Sequence, residues 1–471
     1  MDRRDFLKAA ALSAAALAVP GRLFAADTAG GEAPGSTDKP NIILVFSDDV
    51  GLGNISCYGA DNFKTPRIDE LAKGGIRFDT CYSTPLCGPS RCEILTGRYP
   101  FRTGMTTNAT GAMVSRDEIM MPKALKSAGY ATGMVGKWSQ LTLEPSDWGF
   151  DEYLRFPASG RYWREQATSY TVNGATRDLP AGKYLPDIMH DWLVDFMTKH
   201  KDQPFYVHYA MSHIHGPIVR TPDSKPGSDL YADNIAYMDK LVGKLVDELD
   251  KLKLREKTLV LFVGDNGTAQ AKADVSTVRG RRLSGQKGTM LEGGSRVPMI
   301  ASWPGTTPAG KSLPDLVDFS DFFPTFCALA GAKLPEKVTI DGHSFADQLK
   351  GKKGSPREWI YVELNGKWYV REKSYKLNSQ GELFDMKDAP FVEKPIASDS
   401  TDADAVAARK RLQAVLDKLD PASGKQPKAD TPLTLRQANK NKAANKRRKK
   451  RRRLRLSSAT QIRDTDRAGG T

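Results

Sequence analysis

Cysteine is scarce in this chain, with five in 471 residues, at positions 57, 81, 87, 92 and 327. So few, at such irregular spacing, exclude a disulfide scaffold and a cysteine-based zinc site. If residue 87 is chemically altered, four thiols remain, and the sequence leaves a Cys57–Cys81 and a Cys81–Cys92 pairing both open. Long apolar runs are missing too. The alanine-rich stretch from Ala9 to Val19 falls short of the roughly 20 residues that span a bilayer, and no other run comes near, so no transmembrane span is expected in the mature chain. An excess of one charge is absent over most of the length. The formal +14 arises almost wholly in residues 421–471, where sixteen Lys and Arg face three Asp, so the preceding 420 residues are close to neutral. The body therefore has no bulk electrostatic bias toward nucleic acid. No internal repeat is present.

Size comes first among the features that are present. A chain of 471 residues exceeds the roughly 250–300 at which a single core stops growing, so a large domain and a smaller one are expected. The start, Asp2-Arg3-Arg4-Asp5-Phe6-Leu7-Lys8, runs into the alanine-rich stretch and ends at Arg22-Leu23-Phe24-Ala25-Ala26. It reads as a twin-arginine export signal over residues 1–26, cleaved near Ala25 or Ala26, which sends the mature protein to the periplasm or outside the cell. The alternative is an uncleaved anchor. Residues 27–39 are Gly-, Ser-, Thr- and Pro-rich and read as a linker.

From Asn41 short apolar runs alternate with amphipathic stretches, the texture of α/β architecture. Strands are expected at 41–46, 131–135, 205–210, 258–263 and 298–302, and helices at 66–71, 122–128, 185–198 and 230–252. After Asp341-Gly342 the runs shorten to 359–363, 367–371, 374–377 and 382–384, predicting an antiparallel sheet, with a closing helix over 403–419. The divisions are thus 40–340 for the large α/β domain, 341–420 for a C-terminal α+β subdomain and 421–471 for a disordered basic tail. Lys446 to Arg453 is unbroken positive charge, which repels itself. Such a tail tethers to polyanions (acidic polysaccharide, nucleic acid or anionic lipid) or is a solvated extension.

Candidate chemistry gathers directly after the predicted strands. Asp48-Asp49 follow the first, Lys137 follows Val135-Gly136, His213 and His215 follow the strand ending at Ala210, and Asp265-Asn266 follow the strand ending at Val263. Sites in α/β sheets form at the carboxyl ends of strands, so these residues can converge. Asp48, Asp49, Asp265 and Asn266 make an all-oxygen set suited to Ca²⁺ or Mg²⁺ and not to zinc. The twelve residues Cys87-Gly-Pro-Ser-Arg-Cys-Glu-Ile-Leu-Thr-Gly-Arg98 put a thiol before a helix predicted over Ser90–Leu95, with Pro89 in its first turn and Gly97 ending it. Cys87 then lies at the positive end of a helix dipole, beside Arg91, where an anion can be held. A lone cysteine at a turn is most often structural; here the Cys-x-Pro-Ser-Arg start and the Leu-Thr-Gly-Arg finish occur together.

That motif resembles the signature of the sulfatase family. The resemblance runs in order from Asn41 to Phe384 through Asp48-Asp49, the Cys87 motif, Gly136-Lys137-Trp138, Ser212-His-Ile-His215-Gly-Pro217, Gly264-Asp265-Asn266-Gly267, Lys287 to Pro298 and Trp303-Pro-Gly305. Glu382-Leu-Phe-Asp385 resembles the C-terminal strand of the family. The resemblance implies an alkaline-phosphatase-like α/β fold, with a large mixed β-sheet sandwiched by helices and a small C-terminal antiparallel sheet with a helix. It implies that a formylglycine-generating enzyme converts Cys87 to Cα-formylglycine during maturation. One Ca²⁺ per chain would be held by residue 87, Asp48, Asp49, Asp265 and Asn266. Arg91, Lys137, His215 and Lys287 would surround a sulfate ester, with His215 or Lys287 protonating the leaving oxygen.

The implied activity is an exported sulfuric ester hydrolase acting on sulfated carbohydrate or aryl sulfate. The alternatives are a phosphonate or phosphate ester hydrolase of the same superfamily, and a catalytically silent periplasmic protein that binds polyanions. The chain departs from the family at Ser139, two residues after Lys137, where the family commonly has a histidine. Serine is no base near neutral pH, so His213 moves in, water serves, or activity is reduced. Substrate-pocket walls are expected from Gln140–Tyr170, with Trp148, Tyr153, Tyr162, Trp163, Arg161 and Arg164, and from Pro217–Tyr231.

Overall fold

The computed structural model describes residues 39–166 and 168–425. The export signal, all of the linker but Lys39, and the tail beyond Lys425 lie outside the described residues. Ten strands form one sheet: β1 (Asn41–Ser47), β2 (Ile76–Tyr82), β3 (Ala131–Lys137), β4 (Glu152–Phe156), β5 (Ser169–Val172), β6 (Ala175–Asp178), β7 (Phe205–Ala210), β8 (Thr258–Gly264), β9 (Arg296–Ser302) and β10 (Lys311–Asp318). Their order is β10-β2-β9-β8-β1-β7-β3-β4-β5-β6. The stretch β8-β1-β7-β3-β4 is parallel throughout, while β9, β5 and β6 run antiparallel to their neighbours, so the sheet is mixed.

Every residue of β1, β3, β7 and β8 is buried, which is why Ile42–Phe46 of β1 and Leu259–Val263 of β8 read as unbroken apolar runs. Alternate side chains of β1 serve opposite faces. Ile43 and Val45 join a core that includes the apolar sides of helices Pro66–Lys73, Leu185–Lys199 and Leu230–Lys251. Ile42, Leu44 and Phe46 join a second core with helices Cys87–Thr96, Met121–Ser127 and Phe322–Ala330. The sheet is thus sandwiched by helices.

The C-terminal region forms a five-stranded antiparallel sheet in chain order, β11 (Trp359–Leu364), β12 (Lys367–Glu372), β13 (Tyr375–Asn378), β14 (Leu383–Asp385) and β15 (Lys394–Ile396). Helix Ala403–Leu419 starts at Asp402, whose side chain accepts from Ala405 N at 2.8 Å, and buries Ala405, Leu412 and Leu416 against Tyr361, Val370 and Leu377. The described residues include the first five of the expected tail, and the last of them, Lys425, donates its N–H to Phe101 O at 2.9 Å.

Four readings are corrected. All five cysteines are free thiols; Cys57 packs on one core and Cys81 on the other, so the sheet separates that pair, and no bond joins Cys81 to Cys92. The helix after residue 86 begins at Cys87 itself, with Pro89 as its third residue. Residues 140–170 hold strands β4 and the start of β5, and Trp148, Tyr153 and Tyr162 are core residues, because their rings fill space between the sheet and its covering elements. Strands β2, β4, β5, β6, β10 and β15 lie outside the predicted set.

Candidate active site

Because β8, β1, β7 and β3 are parallel neighbours, the residues at their carboxyl ends stand side by side. The loops are stitched by backbone bonds: Asp265 N donates to Ser47 O at 2.8 Å, Asp48 N to His213 O at 2.7 Å and Ile214 N to Asp48 O at 2.7 Å. Asp49 sits in the left-handed region at φ 64°, and its N–H donates to Asp265 Oδ1 at 2.9 Å. A non-glycine residue held there is strained, and such strain concentrates at functional sites.

Helix Cys87–Thr96 brings the thiol and Arg91 to this place. All ten of its residues are buried. Leu86 precedes it in an extended conformation, and Gly97 ends it at φ 66°, its N–H donating to Glu93 O at 2.8 Å. Arg91 donates from Nε and Nη2 to Asp265 Oδ2, at 3.0 and 2.7 Å, and Nη2 lies 3.8 Å from Asp48 Oδ1. Lys137 Nζ donates to Asp48 Oδ2 at 2.6 Å. Lys287, from the loop before β9, pairs with Asp49 Oδ1, which also accepts from Asn266 Nδ2 at 2.9 Å. His215 Nε2 lies 3.8 Å from Asp49 Oδ2, and its Nδ1 meets Ser159 Oγ at 3.1 Å and Gly216 O at 2.6 Å. The structure therefore brings Asp48, Asp49, Cys87, Arg91, Lys137, Asp265 and Asn266, all buried, together with the partly exposed His215 and Lys287 into one cluster.

Charge in this cluster is balanced but crowded. Burial works against ionisation of Asp48, yet Lys137 and then His215, Arg91 and Lys287 hold it well below the usual carboxylate range. Burial and the neighbouring Asp48 push Asp265 the other way, up to about 7, against the pull of Arg91 and Lys137. Burial pulls on Lys287, but Cys87, Asp49, Asp48 and Asp265 raise it, so it stays protonated. Burial, helped by Lys137 and Lys287 and opposed by Asp48 and Asp49, lowers His215 below the ordinary imidazole value.

The residues also fit a cation. Asp48 Oδ1 and Asn266 Oδ1 are buried acceptors without a hydrogen-bond partner among the described residues. Asp48, Cys87 and Asp265 offer ligand atoms within 4.8 Å of one another, as do Asp48, Asp49 and His215. Unpartnered hard oxygens amid three mutually repelling carboxylates are the donor chemistry of a hard divalent ion.

Two residues fall outside this cluster. The His213 ring lies among Tyr162, Tyr184 and Tyr237, with Nε2 3.1 Å from Tyr184 Oη, and burial lowers it to about 3. It serves the site through its carbonyl, and no contact carries its imidazole to Cys87 among the described residues. Ser139 is buried, with Oγ unpartnered. Three residues not named as site residues do reach the site, Gln140 and Ser159 from the stretch 140–170 expected to wall the pocket and Asn108 from outside it. Asn108 Nδ2 and Gln140 Nε2 each donate to Cys87 Sγ at 3.5 Å, and Ser159 holds His215. Of the expected pocket walls, Trp163 and Arg220 do meet, the guanidinium 4.8 Å from the ring centroid.

The chain has known counterparts. The Sulfatase family model matches residues 40–332, the model of the N-sulphoglucosamine sulphohydrolase C-terminal region matches 285–419, and the twin-arginine signal model matches 1–20, which marks the chain for export. Arylsulfatase A of Homo sapiens is 33% identical over 382 residues, 72% of this chain and 74% of that protein. N-acetylgalactosamine-6-sulfatase of Canis lupus familiaris is 32% identical over 396 residues, 75% of this chain and 74% of that protein. The crystal structure of Ps i-CgsB in complex with k-i-k-neocarrahexaose superposes with a TM-score of 0.72 at 29% identity, covering 84% of this chain and 95% of that one. Among the described residues no helix is long and apolar enough to cross a membrane. With the family model spanning the ends of the four strands on which the acidic cluster is built, and relatives about a third identical over most of both chains, this protein belongs to the sulfatase family of sulfuric ester hydrolases.

Proposed function

We propose that the exported protein, periplasmic or secreted, hydrolyses sulfate monoesters of carbohydrates, using Cα-formylglycine made from Cys87 and one bound Ca²⁺. The observation that carries this reading is the pair of buried oxygens that accept no hydrogen bond, Asp48 Oδ1 and Asn266 Oδ1, set among Arg91, Lys137 and Lys287 beside residue 87. Formylglycine at residue 87, once hydrated, would supply a hydroxyl nucleophile, and a divalent ion beside it would make that hydroxyl more acidic. Asp48, Asp49, Asp265 and Asn266 would hold the ion. Lys137 and Lys287 place two ammonium groups where a sulfate ester and its developing alkoxide need preorganised positive charge. Arg91 is already engaged by Asp265 and fixes that carboxylate. His215, kept by Ser159 and the Gly216 carbonyl, is positioned to exchange a proton at Nε2 with the departing oxygen. A carbohydrate substrate is supported by the resemblance to N-acetylgalactosamine-6-sulfatase and to the carrahexaose-bound structure.

The test is mass spectrometry of the Cys87 peptide from exported protein, followed by turnover of an aryl sulfate, phenylphosphonate and sulfated sugars. Conversion of the thiol to the aldehyde is expected, with the sulfates preferred over the phosphonate. Cys87→Ala is expected to cut kcat by on the order of 10³-fold or more. An unconverted cysteine, or converted and calcium-loaded protein that turns over no sulfate ester, overturns the reading.

A further inference from the structure

The resemblance to the sulfatase family implies a histidine at position 139, and this sequence has a serine there. Ser139 Oγ and Arg91 Nη1 are buried without partners. Both residues, with Gly88, Lys137, Gln140 and His208, line a cavity of about 20 Å³. That is room for about one water molecule, beside a side chain shorter than histidine by a whole ring. The His213 ring does not fill the role, since it is packed among tyrosines. What does touch residue 87 is a pair of primary amides. Gln140, only 5% exposed, donates Nε2 to Cys87 Sγ at 3.5 Å. Asn108 donates Nδ2 to the same atom at 3.5 Å, while its Oδ1 accepts from Gly88 N at 2.7 Å and from Cys87 Sγ at 3.7 Å, which anchors that amide against the start of the helix.

We propose that Gln140, braced by Asn108, takes over from the missing imidazole as the side chain that hydrogen-bonds and orients the oxygen carried by residue 87. This rests on the formylglycine reading above and extends it to a residue next to the serine. A primary amide both donates and accepts, so it can grip a hydroxyl in either sense. It carries no charge at any working pH, so it orients without taking the proton. The grip favours the hydrated form of the aldehyde, which has hydroxyl protons and lone pairs to share, over the free aldehyde.

The experiment uses the full chain produced with its maturation enzyme. Peptide mass spectrometry first gives the converted fraction in wild type, Gln140→Leu and Ser139→His/Gln140→Leu; an unconverted wild type sinks the sulfatase reading and not this assignment specifically. An aminooxy probe is then reacted with the native converted proteins. Gln140→Leu is expected to label about fivefold faster, because a lost hydrogen bond to the hydrate releases more free aldehyde. Its kcat for aryl sulfate is expected to fall about 10- to 100-fold with KM within about threefold. The double variant, with an imidazole restored at 139, is expected to return labelling toward the wild-type rate. If Gln140→Leu melts far below wild type, Gln140→Met is read by the same criteria. A folded, converted Gln140 variant that labels at the wild-type rate, or a double variant indistinguishable from Gln140→Leu, overturns the assignment.

Discussion

Asn266 divides one amide between two jobs. Its Nδ2 donates to Asp49 Oδ1 and to Gly267 O, both at 2.9 Å, and this leaves Oδ1 as a buried acceptor with no partner. A bound cation would satisfy that oxygen, and binding only to the folded chain stabilises it by about 2.7 kcal/mol at a hundred times Kd. Calcium is therefore expected to raise the melting temperature by a few degrees, with EGTA reversing the shift. Asn266→Ala should keep less than half of it; an undiminished shift in the variant would place the ion elsewhere. Lys137 offers a second check. Its ammonium donates to Asp48 Oδ2 at 2.6 Å, and both side chains are essentially inaccessible to solvent. Lys137→Met leaves the Asp48 carboxylate short of its main counter-charge, at a cost of about 3–5 kcal/mol in metal-free protein. Calcium should recover part of that loss in thermal melts, while kcat stays lower by on the order of 10²-fold.

Elements present these residues, and glycine decides how closely two of them approach. Gly136 precedes Lys137 in β3 at φ 115°, and a Cβ there would fall 2.0 Å from Ala210 O of β7. Gly136→Ala must separate the strands or twist β3, so lower stability and a kcat loss like that of Lys137→Met are expected, checked by melting and turnover of the folded variant. Helix Leu185–Lys199 supplies a pH test. Burial, aided by Lys244 and Lys251 and opposed by Glu248, lowers His190 from 6.5 to about 4. The stability it allows is fully present above 6.5 and is lost as pH falls through 4, because the unfolded chain takes up the proton first. His190→Leu should thus gain on wild type by about 1.4 kcal/mol per pH unit between pH 6.5 and 4, read from urea midpoints.

The same contrast between elements explains what the sequence makes legible. Ile42–Phe46 and Leu259–Val263 are buried on both faces, so they appear as unbroken apolar runs, and the residues after them declare the site. The strands it hides are of another kind. β2 alternates, β6 is fully exposed, and β10 carries polar residues and Pro314 at a sheet edge, where proline is tolerated. Ser159 lies just beyond β4, inside the stretch 140–170 expected to wall the pocket; recognising Glu-Tyr-Leu-Arg-Phe as a strand would have singled it out by the strand-end rule. Asn108 sits in a loop with no periodicity, and only folding brings it to Sγ. Ser139 and Gln140 sit in plain view after Lys137, but which of them touches residue 87 depends on geometry alone.

At the scale of the molecule, the small sheet acts as a clasp on the loop that presents Lys287. The segment from Lys287 to the start of β9 includes Glu292, which is 1% exposed. Tyr82 Oη donates to both its carboxylate oxygens at 3.0 and 2.9 Å, and Arg371 of β12 brings Nε within 3.1 Å of Oε1 as an ion pair without hydrogen-bond alignment. Burial opposes charge on Glu292, but Arg371 first, then Arg296 and Lys376, hold its pKa below the ordinary range. Lys376 of β13 donates to Met290 O at 3.1 Å and pairs with Glu393, whose Oε1 accepts from Glu292 N at 2.7 Å. Two strands of the C-terminal sheet thus grip residues 290–292, three to five residues beyond Lys287. Breaking one partner of a buried pair leaves an uncompensated charge, so Arg371→Met should cost about 3–5 kcal/mol, and Arg371→Met/Glu292→Gln less than the sum of the single changes. If the clasp served stability alone, the folded Arg371→Met protein at low temperature would keep the wild-type kcat. A clasp that positions Lys287 predicts instead that kcat falls about tenfold in the folded variant, with faster proteolysis confined to residues 284–291 and calcium-dependent melting unchanged.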